Sequence, residues 1–157
     1  MKKIKPYIIS ILIALGVGGL SAFFTRNNMD LYSEIIRPPL SPPSILFPIV
    51  WTILFILMGI SAAMIYTNKT APEYQKKSAL YTYAISLIVN FFWSIIFFNM
   101  RSFLFAFVWL ILLLYLIIKT IIKYKKIEPV AAYLQIPYAL WVTFAGYLTL
   151  AIFILNG

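Results

Sequence analysis

The sequence of 157 residues contains no cysteine and no histidine, and only four of its residues are acidic. These absences exclude disulfides, thiol chemistry and a zinc site, and they argue against a hydrolytic triad. Charged residues make up 11% of the chain and hydrophobic residues 63%, against roughly 25% and 45–50% in ordinary soluble domains. A soluble fold of this length could not bury so much apolar surface, so a soluble globular enzyme is excluded.

Five long stretches of the chain carry no charged residue. A helix needs about 20 apolar residues to cross a bilayer core of roughly 30 Å, and its backbone groups must bond one another there. The sequence therefore predicts an all-α integral membrane protein, a single domain (1–157) folded as a five-transmembrane-helix bundle. The lysine-rich start would also suit a signal peptide, but Phe23-Phe24-Thr25-Arg26 is a poor cleavage site and favours an uncleaved first helix. The predicted helices lie near 5–24, 44–66, 78–98, 102–122 and 129–155.

The net charge of +9 reflects membrane topology rather than nucleic-acid binding, because the basic residues lie in short loops between apolar stretches. All ten lysines fall in or directly beside the amino terminus and the second and fourth loops. The only basic residues of the first and third loops are Arg26, Arg37 and Arg101. Because cytoplasmic loops are enriched in basic residues, we expect a cytoplasmic amino terminus and a carboxyl terminus outside.

The first loop, residues 25–43, is the long connection of the chain. Pro38, Pro39, Pro42 and Pro43 restrict its backbone and predict a stiff, extended lid. Within the loop, residues 28–36 are compatible with a short helix capped by Asn28.

Small residues recur at helical spacing in the first three predicted helices. Such stripes allow close packing between transmembrane helices, either inside one chain or across a homodimer seam. The stripes comprise Ser10, Ala14, Gly18 and Ala22, then Gly59 and Ala63, then Thr82, Ser86, Asn90 and Ser94.

The uncharged stretches offer little to a pump or coupled transporter, which needs ionisable groups at depth. Their notable polar residues are Asn90 and Gln135, and each of these would also suit an interhelical hydrogen bond.

Aromatic residues make up 18% of the chain, and Trp51, Trp93 and Trp141 do not fit a simple interfacial belt. Pro137 lacks a donor for the carbonyl of Tyr133, so a kink and a cavity are expected there. An aromatic-lined cavity with few polar groups suits a large, flat, apolar ligand.

Several segments carry a resemblance to a known family. The chain resembles the TspO/MBR family of tryptophan-rich sensory proteins, whose vertebrate member is the translocator protein or peripheral benzodiazepine receptor. The segments are Arg37-Pro38-Pro39-Leu40-Ser41-Pro42-Pro43, Phe47-Pro48-Ile49-Val50-Trp51, Leu57-Met58-Gly59, Asn90-Phe91-Phe92-Trp93 and Pro137-Tyr138-Ala139-Leu140-Trp141. The resemblance implies a five-helix bundle, usually a homodimer, that binds protoporphyrin IX, haem and isoquinoline carboxamide-type drugs.

The resemblance also implies a ligand site, to which the lid adds Pro42 and Arg37, the latter as a clamp for porphyrin carboxylates or as an interfacial anchor. No cofactor and no metal is required. The residues implied by the match are Tyr32, Trp51, Asn90, Trp141 and Ala145, with Phe55, Trp93 and Tyr138 nearby.

Departures from the family pattern concern the carboxyl-terminal helix above all. The cholesterol motif of animal members needs a basic residue after the tyrosine, and no basic residue follows Tyr147. Leu113, Tyr115 and Lys119 fit the same loose pattern in the fourth predicted helix. Cholesterol is therefore a doubtful partner, and the sequence favours a bacterial cell membrane.

Three functions remain open at this point. The favoured one is a membrane receptor or sensor for tetrapyrroles; because histidine and cysteine are absent, the ring would be recognised by stacking rather than by metal ligation. The second is a light- and oxygen-dependent porphyrin-degrading enzyme, in which Trp51 and Trp141 would react beside the excited ring. The third is a passive carrier of tetrapyrrole or lipid.

Overall fold

Five long helices and one short helix form the protein in this computed structural model, which describes residues 4–28 and 30–156 but not the side chain of Tyr32. A 3₁₀ turn, Arg26–Asn28, follows α1, and a π-helical turn, Ile95–Asn99, continues α4. The described residues include no β-strand, and the five long helices are apolar enough to span a membrane. The predicted fold class is confirmed. The helices are α1 (Ile4–Thr25), α2 (Leu31–Glu34), α3 (Leu46–Thr67), α4 (Glu73–Ser94), α5 (Phe103–Lys125) and α6 (Pro129–Asn156).

The long helices form a closed ring, in which α1 packs on α3, α3 on α6, α6 on α5, α5 on α4, and α4 on α1. Two glycines let α1 and α3 approach closely. A Cβ on Gly59 would lie 2.5 Å from the Cα of Ile11, and one on Gly18 would lie 2.5 Å from the ring of Phe55. Ala14 is fully buried. These small residues therefore pack within the chain, and the homodimer stays a prediction.

A buried hydrogen bond between side chains joins two neighbouring helices of the ring, α3 and α6. Gln135 of α6 donates from Nε2 to the hydroxyl of Ser61 in α3 at 2.7 Å. Both residues are buried. The interhelical role considered for Gln135 is confirmed.

With the π-helical turn counted as part of α4, two helix boundaries differ from the predicted ones by three residues or more. The third predicted helix begins at Glu73 rather than at 78, and the fourth continues to Lys125 rather than ending at 122. Apolar composition marks the part of a helix that lies in hydrocarbon, whereas charged residues such as Glu73 and Lys125 continue the same helix into the interface.

The predicted helix at 28–36 is reduced to the single turn of α2. Ile35 is extended (φ −93°, ψ 160°) and ends it. The expected cap by Asn28 is wrong, because its side-chain amide instead donates to Oδ1 of Asn99 at 2.7 Å, and Asp30 occupies the cap position of α2.

Candidate functional site

The centre of the candidate site is a buried hydrogen bond between α4 and α6. Asn90 donates from Nδ2 to the hydroxyl of Tyr138 at 2.7 Å. Asn90 is 4% exposed and Tyr138 is fully buried. In hydrocarbon an amide or hydroxyl without a partner is costly, so each residue holds the other in place.

Two residues of α3 extend this centre. The Trp51 ring lies edge-to-face with the Tyr138 ring at a centroid distance of 6.1 Å. The Phe55 ring lies 5.6 Å from Trp51, one turn further along the helix. The side chains of Trp51, Phe55, Asn90 and Tyr138, here called the aromatic site, therefore connect three helices.

Trp141 lies one turn beyond Tyr138 on α6. Trp51 and Trp141 both pack against the main apolar core. Phe47, one turn before Trp51, meets the Trp141 ring edge-to-face at 5.9 Å. Ala145, a further turn along α6, is buried. Trp51 and Trp141 thus face the same core rather than separate patches of lipid.

Trp93 lies one turn beyond Asn90 on α4, stacked on Phe97 at 5.2 Å. It packs between the main core and a smaller apolar cluster near the first loop. The indole Nε1 atoms of Trp93 and Trp141 are both buried without a hydrogen-bond partner in the described part of the protein. Two indole donors in an apolar interior are suited to an acceptor group on a ligand.

The first loop is fastened across one end of the bundle by side chains of α6 and of the turn before α5. The Tyr147 hydroxyl donates to the carbonyl of Pro39 at 2.6 Å. The Asn156 amide binds both backbone groups of Ile36, and Arg101 forms an ion pair with Glu34 at 2.9 Å. The loop has the placement that a lid requires.

The site residues that the sequence predicted in the lid differ from one another in burial. Arg37 is exposed and Pro42 is half-buried. The backbone of Tyr32 lies in α2, but its side chain falls outside the described residues. The side chains predicted on α3, α4 and α6 are thus brought into one core, and Arg37 lies above them in the loop.

A groove of about 400 Å³ opens between α3 and α6 beside this site. Its walls are aliphatic apart from Trp141, and they include Pro137, where α6 continues unbroken despite the missing donor. Ile53 and Leu140 in these walls are more than half exposed, so the groove faces lipid. The rings of the aromatic site pack against one another instead of lining this groove.

Sequence reasoning missed three residues that build the site: Phe47, Tyr147 and Asn156. The sequence did contain a signal for Phe47, because the motif Phe47-Pro48-Ile49-Val50-Trp51 places it one helical turn before Trp51. Tyr147 and Asn156 act on the backbone of a distant loop, and their spacing along α6 carries no sign of that contact.

Comparison with known proteins places this architecture in a family. The TspO/MBR family matches residues 9–155. The chain is 35% identical to "Tryptophan-rich protein TspO" of Chlorobaculum tepidum over 99% of this chain and 98% of that protein. It is 34% identical to "Tryptophan-rich protein TspO" of Archaeoglobus fulgidus over 98% and 99%. It is 31% identical to "Translocator protein" of Bos taurus over 88% and 82%. The chain is an integral membrane protein that belongs to the TspO/MBR family.

Proposed function

We propose that this protein is a membrane receptor or sensor that binds tetrapyrroles such as protoporphyrin IX and haem, and isoquinoline carboxamide-type drugs, at the aromatic site. The observation that carries the proposal is the hydrogen-bonded pair Asn90–Tyr138 with Trp51 against it, in a core below the fastened first loop. The family resemblance supplies the ligand class. The host is a bacterial cell membrane, with the amino terminus in the cytoplasm.

Recognition in this proposal depends on ring stacking and burial. Trp51 is half-buried and Trp141 is half-buried, so each ring keeps surface that a flat ligand can cover. The unbonded indole N–H groups of Trp93 and Trp141 offer donors to a ligand acceptor. Histidine and cysteine are absent from the chain, so the metal-free ring should bind at least as tightly as haem.

Titration of the purified protein in lipid nanodiscs with protoporphyrin IX and with haem tests the proposal, with absorbance of the porphyrin as the readout. Exchanging Trp51→Phe or Trp141→Phe should weaken protoporphyrin IX binding by about tenfold, because each removes part of the stacking surface. Trp109→Phe is the matched control. Trp109 lies on α5, and its indole is already bonded to the carbonyl of Val89 at 2.7 Å.

Equal weakening in all three variants would reject the aromatic site and the neighbouring Trp141 as the place of binding. A low-spin haem spectrum together with absence of protoporphyrin IX binding would reject recognition by stacking. Repeating the titration under aerobic illumination separates a receptor from a porphyrin-degrading enzyme. An enzyme would change the porphyrin spectrum with time, and Trp51→Phe or Trp141→Phe would abolish that change. A receptor would show no such change.

A further inference from the structure

A second groove lies between α4 and α5. It lies at the end of the bundle that carries Lys5 and the lysines of the second and fourth loops, here called the lysine-rich end. It has a volume of about 480 Å³. Lys77, Lys119 and Lys123 line it together with Thr82, Ile85 and Leu116. This lysine groove belongs to neither the aromatic site nor the first loop, which lies at the opposite end.

One lysine of the groove is held in a fixed position. Lys123 donates from Nζ to the hydroxyl of Ser78 at 2.8 Å and to the hydroxyl of Thr82 at 2.9 Å. The Thr82 hydroxyl in turn donates to the carbonyl of Ser78 at 3.0 Å. The ammonium group is therefore coordinated by two neutral oxygens, and neither neutralises its charge.

The lysine-rich end has almost no negative charge to offer the groove. Of the four acidic residues in the chain, only Glu73 and Glu128 lie at this end. Glu73 pairs with Lys76 at 3.3 Å, outside the groove. Among the described residues, none of Lys77, Lys119 and Lys123 forms an ion pair. Three cations that line one groove without a counter-charge attract an anion.

The deeper part of the same groove is apolar. Ile85 lies seven residues beyond Ser78, so the groove continues along α4 by about 10 Å into the hydrocarbon zone. Leu116 forms the facing wall from α5. A cationic opening at the interface above an apolar channel matches a molecule with an anionic head and a hydrocarbon chain.

We propose that the lysine groove is a binding site for an anionic phospholipid, with the phosphate at Lys77, Lys119 and Lys123 and an acyl chain against Ile85 and Leu116. Basic pockets between transmembrane helices bind such headgroups, and a lysine near the surface strengthens binding of an anionic lipid. The site does not depend on tetrapyrrole binding, and its failure would leave the aromatic site unaffected.

Native mass spectrometry of the full chain, released from nanodiscs that contain phosphatidylglycerol and phosphatidylcholine, tests the proposal. We expect one phosphatidylglycerol to be retained in preference to phosphatidylcholine. The variant Lys77→Gln/Lys119→Gln leaves the hydrogen bonds of Lys123 in place, and it should lower the affinity for phosphatidylglycerol by about tenfold or more. The matched control is Lys125→Gln/Lys126→Gln, which removes the same charge from exposed positions at the same end.

Equal loss of phosphatidylglycerol in the two double variants would overturn the proposal, because a general positive field would then explain the binding. Equal retention of both lipids by the unaltered protein would also overturn it. Glycerol 3-phosphate and inorganic phosphate added at millimolar concentration form the second arm. Displacement of the lipid by either at a comparable concentration would assign the groove to a free phosphate ligand rather than to a lipid.

Discussion

The side-chain amide of Asn156, the last residue of α6, binds both backbone groups of Ile36. The Ile36 N–H donates to Oδ1 of Asn156 at 2.9 Å, and Nδ2 of Asn156 donates to the Ile36 carbonyl at 3.0 Å. The two residues are 120 positions apart in the chain. This pair fixes the first loop just before Arg37 and the prolines.

Exchanging Asn156→Ala should loosen the first loop. The Ile36 amide loses its acceptor and its carbonyl loses a donor, and hydrogen bonds of this kind are worth about 1 kcal/mol each. We expect deuterium exchange at the Ile36 amide, followed by mass spectrometry, to accelerate at least about fivefold. Asn27→Ala, at an exposed position on the same side, should leave that exchange rate unchanged.

Unchanged exchange at Ile36 in the Asn156→Ala protein would show that the remaining fastenings, Tyr147 to Pro39 and Arg101 to Glu34, hold the loop by themselves. If the loop covers a bound tetrapyrrole, the same variant should also release protoporphyrin IX faster than the Asn27→Ala protein.

The five spans could be predicted from the sequence because hydrocarbon imposes one requirement on all of them. An apolar stretch long enough to cross the bilayer must be helical, so α1 and α6 differ from their predicted limits by at most one residue at each end. The start of α4 at Glu73 was missed because helical structure continues beyond the apolar part.

The contacts of the site could not be derived from local pattern. Asn90 and Tyr138 are 48 residues apart, and nothing in their spacing says that the amide reaches that hydroxyl rather than another. The sequence did identify the site's polar residue Asn90 and its tryptophans, because such residues are unusual in an otherwise aliphatic membrane segment. Which of them meet depends on the order of helices around the ring, and the resemblance to a family indicated that grouping.

Gly59→Ala should destabilise the protein. The added Cβ would lie 2.5 Å from the Cα and 2.8 Å from the N of Ile11, so the backbone of α1 must move away. Overpacking of this kind costs about 1–3 kcal/mol, which thermal unfolding in detergent would show as a lower midpoint. Gly19→Ala is the control, because its Cβ would meet nothing within 4 Å and alanine favours a helix by about 0.5–1 kcal/mol. A Gly59→Ala protein as stable as the Gly19→Ala protein would contradict the close approach of α1 and α3.

The buried pair Asn90–Tyr138 should show strong coupling in a double-mutant cycle. Tyr138→Phe leaves the Asn90 amide buried without its acceptor, and Asn90→Leu leaves the Tyr138 hydroxyl without its donor. Each single change should lower the free energy of unfolding by about 1–3 kcal/mol. The double variant removes both polar groups, so it should be less destabilised than the sum of the single changes. Additive losses would mean that the 2.7 Å hydrogen bond contributes nothing specific to stability.

Arg37 provides a test of how the proposed ligand is oriented. Its guanidinium is the charged group of the proline-rich segment, and a charge-assisted hydrogen bond to a porphyrin carboxylate is worth about 1.5–3 kcal/mol. Arg37→Gln should therefore weaken protoporphyrin IX about tenfold or more in an absorbance titration. The dimethyl ester of protoporphyrin IX has no carboxylate, so its affinity should be the same in both proteins.

The matched control for Arg37→Gln is Arg26→Gln, on the same side of the bundle. The Arg26 guanidinium already donates to the carbonyl of Phe23 at 2.7 Å and lies 4.0 Å above the centre of that ring. These contacts are with Phe23 of α1, so exchanging Arg26 for Gln should not change the affinity for porphyrin. An equal loss of affinity for the acid and the ester in the Arg37→Gln protein would instead identify Arg37 as an anchor of the loop, because the effect would then be independent of the ligand's charge.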